Sequence, residues 1–252
     1  MSLEIWKQIM RIKIEFETEN ENLPIEYRKK FLSYFKSVIW DYNEDLFAAM
    51  YSGKSLMKPF CSSLYFLPEV EISNNGIVLA SKRFSVKFTT PDILTAVHIL
   101  NAFVNRKNKW SPLSNCDNKV KVLSVSKINE KKINGNSAML KILSPIVIRD
   151  HNRETGNDWY FVFEDEKFEE TWKRNLKSEL ETNFSWDITA DIDALKMIPI
   201  QLKKVVVKNY NIYVPCTIGT MVLEGENYLL EYLYKAGIGS KRSMGFGYVD
   251  VI

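Results

Sequence analysis

Apolar and polar positions alternate from Arg11 to Glu17, with Ile12, Ile14 and Phe16 on one side of the chain. A period of two predicts a half-buried strand. Beyond the polar run Glu19-Asn20-Glu21-Asn22, Pro24 is placed to begin a helix, along which Phe31, Leu32, Phe35, Val38 and Ile39 recur at helical spacing. A short second helix is expected from Glu44 to Met50. Strands follow at Phe60–Leu67, at Gly76–Leu79, and on through Phe84, Val86 and Phe88. Pro91 opens another helix, whose Ile93, Leu94, Val97, Leu100 and Val104 are expected to face the core, and Val120–Ile128 reads as a closing strand.

The order then repeats. Met139–Ile148 and Trp159–Phe163 read as strands, and Phe168, Trp172, Leu176 and Leu180 mark a helix by their spacing of four. One or two strands are expected within Met197–Val214 and another at Gly219–Leu223, before a last helix at Asn227–Ala236 and a final strand. Two passes of strand–helix–strand–strand–helix–strand predict an α+β fold of two tandem ferredoxin-like (βαββαβ, RRM-like) units. Periodicity breaks at Trp110-Ser111-Pro112-Leu113-Ser114-Asn115, which sets the expected units at residues 10–115 and 116–252.

Between the last helix and the last strand lies Gly237-Ile238-Gly239-Ser240-Lys241-Arg242-Ser243-Met244-Gly245-Phe246-Gly247. Glycine permits positive φ and close approach to the main chain, and successive free N–H groups in such a loop form a nest suited to a phosphate. Lys241 and Arg242 add full charges, Ser240 and Ser243 hydroxyl donors, and Gly237, Gly239, Gly245 and Gly247 the backbone freedom. Nucleotide-binding glycine loops run from strand to helix, and the P-loop requires a Gly-Lys-Ser/Thr. This loop runs from helix to strand and lacks that triplet, so a nucleotide cofactor is excluded and a grip on a polymer's phosphates stays open.

Composition adds little. The 252 residues are 46% hydrophobic and 26% charged, which is enough for a real core, and the net charge is +3. RNA binding needs a local basic patch rather than a basic total. The acidic run Glu164, Asp165, Glu166, Glu169 and Glu170 opens a helix, where it suits the dipole. Cys61, Cys116 and Cys216 fit neither a disulfide framework nor a zinc spacing, so neither a metal nor another cofactor is expected. No apolar run reaches membrane length and the first nine residues lack a signal-peptide core. Met10-Arg11 has the look of a start, with residues 1–9 as an upstream extension. The expected compartment is cytoplasmic.

The loop also carries a resemblance. A helix followed by Gly-Ile-Gly-Ser-Lys-Arg-Ser-Met-Gly-Phe-Gly-Tyr-Val resembles the C-terminal signature of the CRISPR-associated repeat-processing endoribonucleases, part of the wider RAMP superfamily of repeat-associated RNA-binding proteins. Met10–Phe16, Leu23–Arg28, Lys58–Ser63 and Leu143–Ile148 resemble further family segments in the same order. The resemblance implies binding of a CRISPR repeat RNA, as precursor and as processed guide, and its cleavage without a metal. The ribose 2′-OH attacks the adjacent phosphorus and leaves a 2′,3′-cyclic phosphate. Further implied partners are other CRISPR effector-complex proteins and a second copy in a homodimer, with no membrane.

Such a reaction needs a base for the 2′-OH, cations for the phosphorane and a proton for the leaving oxygen. Many family members carry a histidine between the first helix and the Lys-x-Phe strand. Here Ala48–Phe60 contains none, and Tyr51 or Ser52 falls near its place. Lys58 matches a family active-site lysine, and Lys36 falls where the family has a helix tyrosine. Lys36, Lys54 and Lys58 are therefore candidate catalytic residues, with Tyr51 as proton donor. Of the two histidines, His98 reads as structural. His151, in Arg149-Asp150-His151-Asn152-Arg153-Glu154, is the other catalytic candidate, with Asp150 or Glu154 to orient it and Arg149 and Arg153 to hold RNA. Tyr210, Tyr213 and Phe246 are candidates to stack on bases. The rival readings are a catalytically inactive repeat-RNA-binding protein or ribonucleoprotein subunit and, more distantly, a small-molecule-binding regulator.

Overall fold

The structure, a computed structural model, describes residues 11–51, 58, 60–73, 76–152, 154–181 and 186–252. The sequence-predicted Lys54 and Arg153 lie outside these residues. The alternating segment forms strand β1 (Arg11–Thr18), and a two-residue strand β2 (Asn22–Leu23) precedes helix α1 (Tyr27–Tyr42) and the short helix α2 (Glu44–Tyr51). Strand β3 (Cys61–Phe66) follows, then β4 (Val70–Ser73), β5 (Gly76–Leu79) and β6 (Arg83–Thr89). Asp92 caps helix α3 (Ile93–Asn105) by accepting from the N–H groups of Leu94 and Thr95. Strands β7 (Trp110–Pro112) and β8 (Lys119–Lys127) complete the first half.

The first sheet has the order β3-β6-β1-β8-β7, and every neighbouring pair is antiparallel. Leaving out the edge strand β7, the order is that of a ferredoxin-like βαββαβ unit, with β6 and β1 at its centre and β8 beside β1. Strands β2, β5 and β4 form a separate small sheet. Strand β8 lies beyond the 115/116 join expected from the sequence yet pairs with β1, so the first sheet takes in residues up to Lys127.

The second half opens with β9 (Ser137–Ile142), continues through a two-stranded unit of β10 (Ile148–His151) and β11 (Asp158–Phe161), and then helices α4 (Phe168–Leu180) and α5 (Thr189–Ala194). Two long strands, β12 (Lys196–Asn209) and β13 (Ile212–Glu224), precede helix α6 (Asn227–Ala236) and strand β14 (Val249–Val251). Its sheet runs β12-β13-β9-β14, the same ferredoxin-like order. Each sheet buries a core of its own: Phe16, Phe31, Phe84 and Phe103 in the first, and Trp172, Leu176, Leu230 and Leu233 in the second.

Three sequence expectations are corrected. Met139–Ile148 is not one strand: Ser144 leaves the ladder to accept the Tyr248 N–H on its hydroxyl, and Ile146 exchanges both main-chain bonds with Thr217. Gly219–Leu223 is the end of β13 rather than a strand of its own. Helix α3 is rotated from its expected face, for Ala96, Ile99, Ala102 and Phe103 are buried while Leu94 is 67% exposed.

Only Thr220–Glu224 of β13 pairs with β9. The rest of the β12–β13 hairpin runs out as a ribbon, about 3.3 Å per residue along its length. Its turn places Tyr210 and Asn211 at φ 50° and 63°, the pair of positive values that a tight I′ turn needs. The tip reaches the first half, where the Asn211 N–H donates to Glu26 Oε1 at 3.3 Å.

Candidate RNA-processing site

Two clusters of predicted site residues form, and the glycine-rich loop touches both. In the first, Tyr51 at the end of α2 presents its ring to two ammonium groups. Lys58 Nζ stands 3.6 Å from the ring centroid and Lys36 Nζ, on α1, stands 4.9 Å from it. Burial, and secondarily the charge of Lys36, brings the Lys58 ammonium down to about 8. A lysine near that value gives up a proton at neutral pH far more readily than an ordinary one.

The Tyr51 hydroxyl is not arranged for chemistry. It is buried with no hydrogen-bond partner among the described residues, and burial pushes its ionisation above the usual tyrosine range. The π face, which attracts cations, is the part of Tyr51 that meets the lysines.

In the second cluster, the β10–β11 register sets His151 directly opposite Asp158. His151 Nδ1 and Asp158 Oδ1 are 2.8 Å apart. Asp158 Oδ2 accepts from the Tyr160 hydroxyl at 2.9 Å and from Arg149 Nη1 at 3.3 Å. Burial works to raise the Asp158 carboxyl, but the bonds from His151 and Tyr160 and the charge of Arg149 outweigh it and hold the group below its usual range. The carboxylate that orients His151 is therefore Asp158. Asp150 instead pairs with Arg174 at 2.7 Å. Lys241 Nζ lies 5.6 Å from the Tyr160 ring centroid, and burial followed by the charge of Arg149 lowers its ammonium.

The adjacent Lys241 and Arg242 thus part company. Lys241 takes the left-handed conformation at φ 58°, and the next residue turns inward. Arg242 is only 2% exposed. Its guanidinium bonds Glu179 Oε1 of α4 at 2.5 Å, the Gly237 carbonyl at 3.1 Å and the Lys58 carbonyl at 3.5 Å. A side chain so enclosed has no face left for an RNA phosphate, against the sequence expectation.

Six of the loop's N–H groups are also bonded to main-chain carbonyls. Ser240 donates to Val147, Gly247 to Pro145, Met244 to Lys241 and Gly245 to Arg242, all main-chain carbonyls. Ser240 is itself buried, while Ser243 and Gly245 line a small apolar cleft against Arg28 and Phe35 of α1. Gly237, Gly239 and Gly247 are required by contact: a Cβ would come within 2.8 Å of Cys61 Sγ, 2.5 Å of the Val147 oxygen and 2.1 Å of the Ile238 oxygen, respectively. These three glycines serve close packing, in a turn that joins the two halves.

Of the aromatic candidates, Phe246 is fully buried and Tyr213 is 70% exposed. Tyr213 pairs with Lys208 across the hairpin, and Val206 with Pro215 and Lys204 with Thr217 continue the same face. This face depends on register and is not legible in the sequence. Sequence reading also missed Asp158 and Tyr160, which the β10–β11 register brings to His151 and Arg149, and Glu179, whose partner Arg242 lies 63 positions away. His98 packs its ring 6.0 Å from that of Tyr42, on the side of the core. Among the described residues no three His, Cys, Asp or Glu side chains gather as a metal-holding group, and no helix is long and apolar enough to cross a membrane.

Two ferredoxin-like units in one chain, closed by a glycine-rich turn before the last strand, are the arrangement that the resemblance to RAMP proteins implies. Comparison with known proteins agrees. The family model described as CRISPR associated protein Cas6, C-terminal, matches residues 128–251. The chain is 26% identical over 251 residues to CRISPR-associated endoribonuclease Cas6 1 of Methanocaldococcus jannaschii, covering 96% of this chain and 93% of that one. A solved structure of a Cas6-related gene product from Pyrococcus furiosus superimposes with a TM-score of 0.82 at 19% identity, covering 97% of this chain and 98% of that one. Another, described as CRISPR associated protein Cas6, gives 0.75 at 22% identity, covering 96% and 99%. Residues 128–251 thus match the Cas6 C-terminal model, and the chain is similar over nearly its whole length to a Cas6 endoribonuclease.

Proposed function

We propose that this protein binds CRISPR repeat RNA and cuts it without a metal, by attack of a ribose 2′-OH on the adjacent phosphorus. The observation that carries the reading is the gathering of the Lys58 and Lys36 ammonium groups on the Tyr51 ring, 3.6 and 4.9 Å from its centroid, where burial also lowers Lys58 to about 8. The P–O5′ bond breaks as the 2′-O–P bond forms, leaving a 2′,3′-cyclic phosphate. Lys58 gives its proton to the departing 5′-oxygen, and Lys36 remains charged beside the phosphorane. Among the described residues no histidine or carboxylate joins the two lysines, so the 2′-OH proton passes to solvent and turnover is slow. Arg149, Lys241 and His151 on one side, and Lys204, Lys208 and Tyr213 on the ribbon, hold the RNA by charge and stacking.

The test is cleavage of a labelled repeat RNA in EDTA, beside a substrate with a single 2′-deoxy at the cut. A defined product from the first and none from the second supports the proposal. Tight binding with no product from either supports a second reading, a catalytically silent RNA-binding protein. That reading is favoured by the absence of histidine from Ala48–Phe60, since both histidines of the chain stand elsewhere.

A further inference from the structure

Lys58 is held from two sides. Its side chain lies on Tyr51, within the first half of the molecule, but its carbonyl faces the second half. That oxygen accepts from the Phe60 N–H at 2.8 Å and from Arg242 Nη2 at 3.5 Å. The same guanidinium is bound to Glu179, and both side chains are almost wholly enclosed. Glu179 Oε1 accepts a further bond from the Tyr232 hydroxyl of α6 at 2.6 Å. The neighbouring residues are seated on the same turn, for Gly237 leaves only enough room for Cys61. Ser63 Oγ donates to the Leu143 carbonyl at 2.9 Å.

Stability alone does not account for the ion pair. A buried pair is often no more stabilising than apolar side chains of the same volume, and Arg242 Nε is buried here with no partner among the described residues. What the guanidinium offers that an apolar side chain does not is a fork with donors in fixed directions. The fork ends on α4, on the last turn of α6 and on the main chain of Lys58.

We propose that Arg242, locked by Glu179, is a positioning residue that holds the main chain at Lys58 and thereby sets where its ammonium stands. The proposal rests on Lys58 being the group that acts on the RNA. The glycine-rich turn then serves cleavage from behind, by carrying Arg242 into the interface, while Lys241 alone of the pair faces the RNA. A freed Lys58 segment lets the ammonium swing away from Lys36 and the Tyr51 ring into water.

The experiment uses the full-length protein and two variants, Arg242→Lys and the double variant Glu179→Gln/Arg242→Gln. The first keeps a charge beside Glu179 but loses the fork; the second leaves no charge unpaired, so that folding is retained. Three quantities are read: RNA affinity, single-turnover cleavage, and the titration of Lys58 by NMR of RNA-free protein with labelled lysine side chains. The expected result is unchanged affinity, cleavage slower by about 10²-fold as for a misplaced group, and a Lys58 titration that moves from near 8 toward the ordinary 10.5. Lys58 still titrating near 8 in folded variants overturns the proposal. If wild-type protein binds RNA without cutting it while Lys58 moves in the variants, the positioning role stands and the nuclease reading fails.

Discussion

The guanidinium of Arg11, the first residue of β1, lies 3.5 Å from the centroid of the Tyr234 ring in the last helix. Its nitrogens also bond the Tyr234 carbonyl at 2.6 Å, the Val249 carbonyl at 2.7 Å and Asp250 Oδ1 at 3.0 Å. One fully buried arginine from the first sheet is thereby built into the end of the second. Arg11→Met should cost about 3–5 kcal/mol, as for other buried charges whose partners are left behind. Urea denaturation followed by tryptophan fluorescence and circular dichroism checks this. Coincident transitions in the wild type should separate in the variant, and an unshifted single transition would show that the halves are coupled by other means.

Glycines of the closing turn differ in what surrounds them. Gly245 has φ +87°, with its nearest neighbour, Arg28, 3.8 Å from an added Cβ. Gly245→Ala should cost only the left-handed backbone penalty, about 1–2 kcal/mol. Gly247→Ala adds a collision with the Ile238 oxygen and should cost about 3 kcal/mol or more. Thermal melts of the two variants decide it, and equal losses would refute the packing account of the turn.

Because the ring of Tyr51 rather than its hydroxyl meets Lys58, Tyr51→Phe should leave cleavage intact. Tyr51→Leu removes the π face and should slow the reaction by the equivalent of about 1–2 kcal/mol. Single-turnover rates on the same RNA separate the two. Loss of activity in the Phe variant would return the hydroxyl to the mechanism.

The pH dependence has a definite sign. Lys58 acts in its charged form, and burial with Lys36 lowers its value to about 8. The acting form is therefore complete below that pH and lost above it. The logarithm of kcat/KM, which reports the free enzyme, should bend downward by one unit of slope near pH 8. In Lys58→Arg, whose guanidinium stays charged, cleavage should persist weakly and the bend should vanish. A wild-type kcat/KM that instead rises with pH up to about 8 would make Lys58 the base.

On the ribbon, charge and stacking can be told apart. Tyr213→Ala should weaken RNA binding by about 1–3 kcal/mol without altering its dependence on salt. Replacing both Lys204 and Lys208 by Ala should reduce the salt slope by about 1.4, at about 0.7 for each phosphate contact on a single strand. Titrations at several salt concentrations provide the check. An unchanged slope would take the ribbon out of the RNA path.

Much of the fold was legible because its signals are local. The spacing of Phe168, Trp172, Leu176 and Leu180 defines α4, and Asn227–Ala236 is bounded by a glycine that ends α6 at positive φ. Helix α3 misled for a local reason as well. Two apolar stripes compete along it, and the buried one contains the small Ala96 and Ala102, which carry little hydrophobic weight in a sequence. The break after Ile142 was invisible, since it depends on Thr217 and Tyr248 supplying main-chain partners from distant positions.

The site divides in the same way. Lys36, Tyr51 and Lys58, singled out by the family resemblance, come together in the structure. Arg242 was read as an outward cation from its neighbours Lys241 and Ser243. Nothing within several residues indicates burial; its counterion, Glu179, lies 63 positions earlier. His151 was matched to carboxylates nearby in sequence, whereas a hairpin register chose Asp158.

The glycine turn has six of its amides bonded to carbonyls of its own chain, and Gly237, Gly239 and Gly247 are pressed against backbone and sulfur. Its sequence is thereby answerable to the interior of the protein, with little freedom to follow whatever RNA the protein meets. Two proteins that read unrelated repeats can share this turn letter for letter. The turn marks kinship well and preference poorly, and an effort to redirect the protein to a new repeat should leave it untouched.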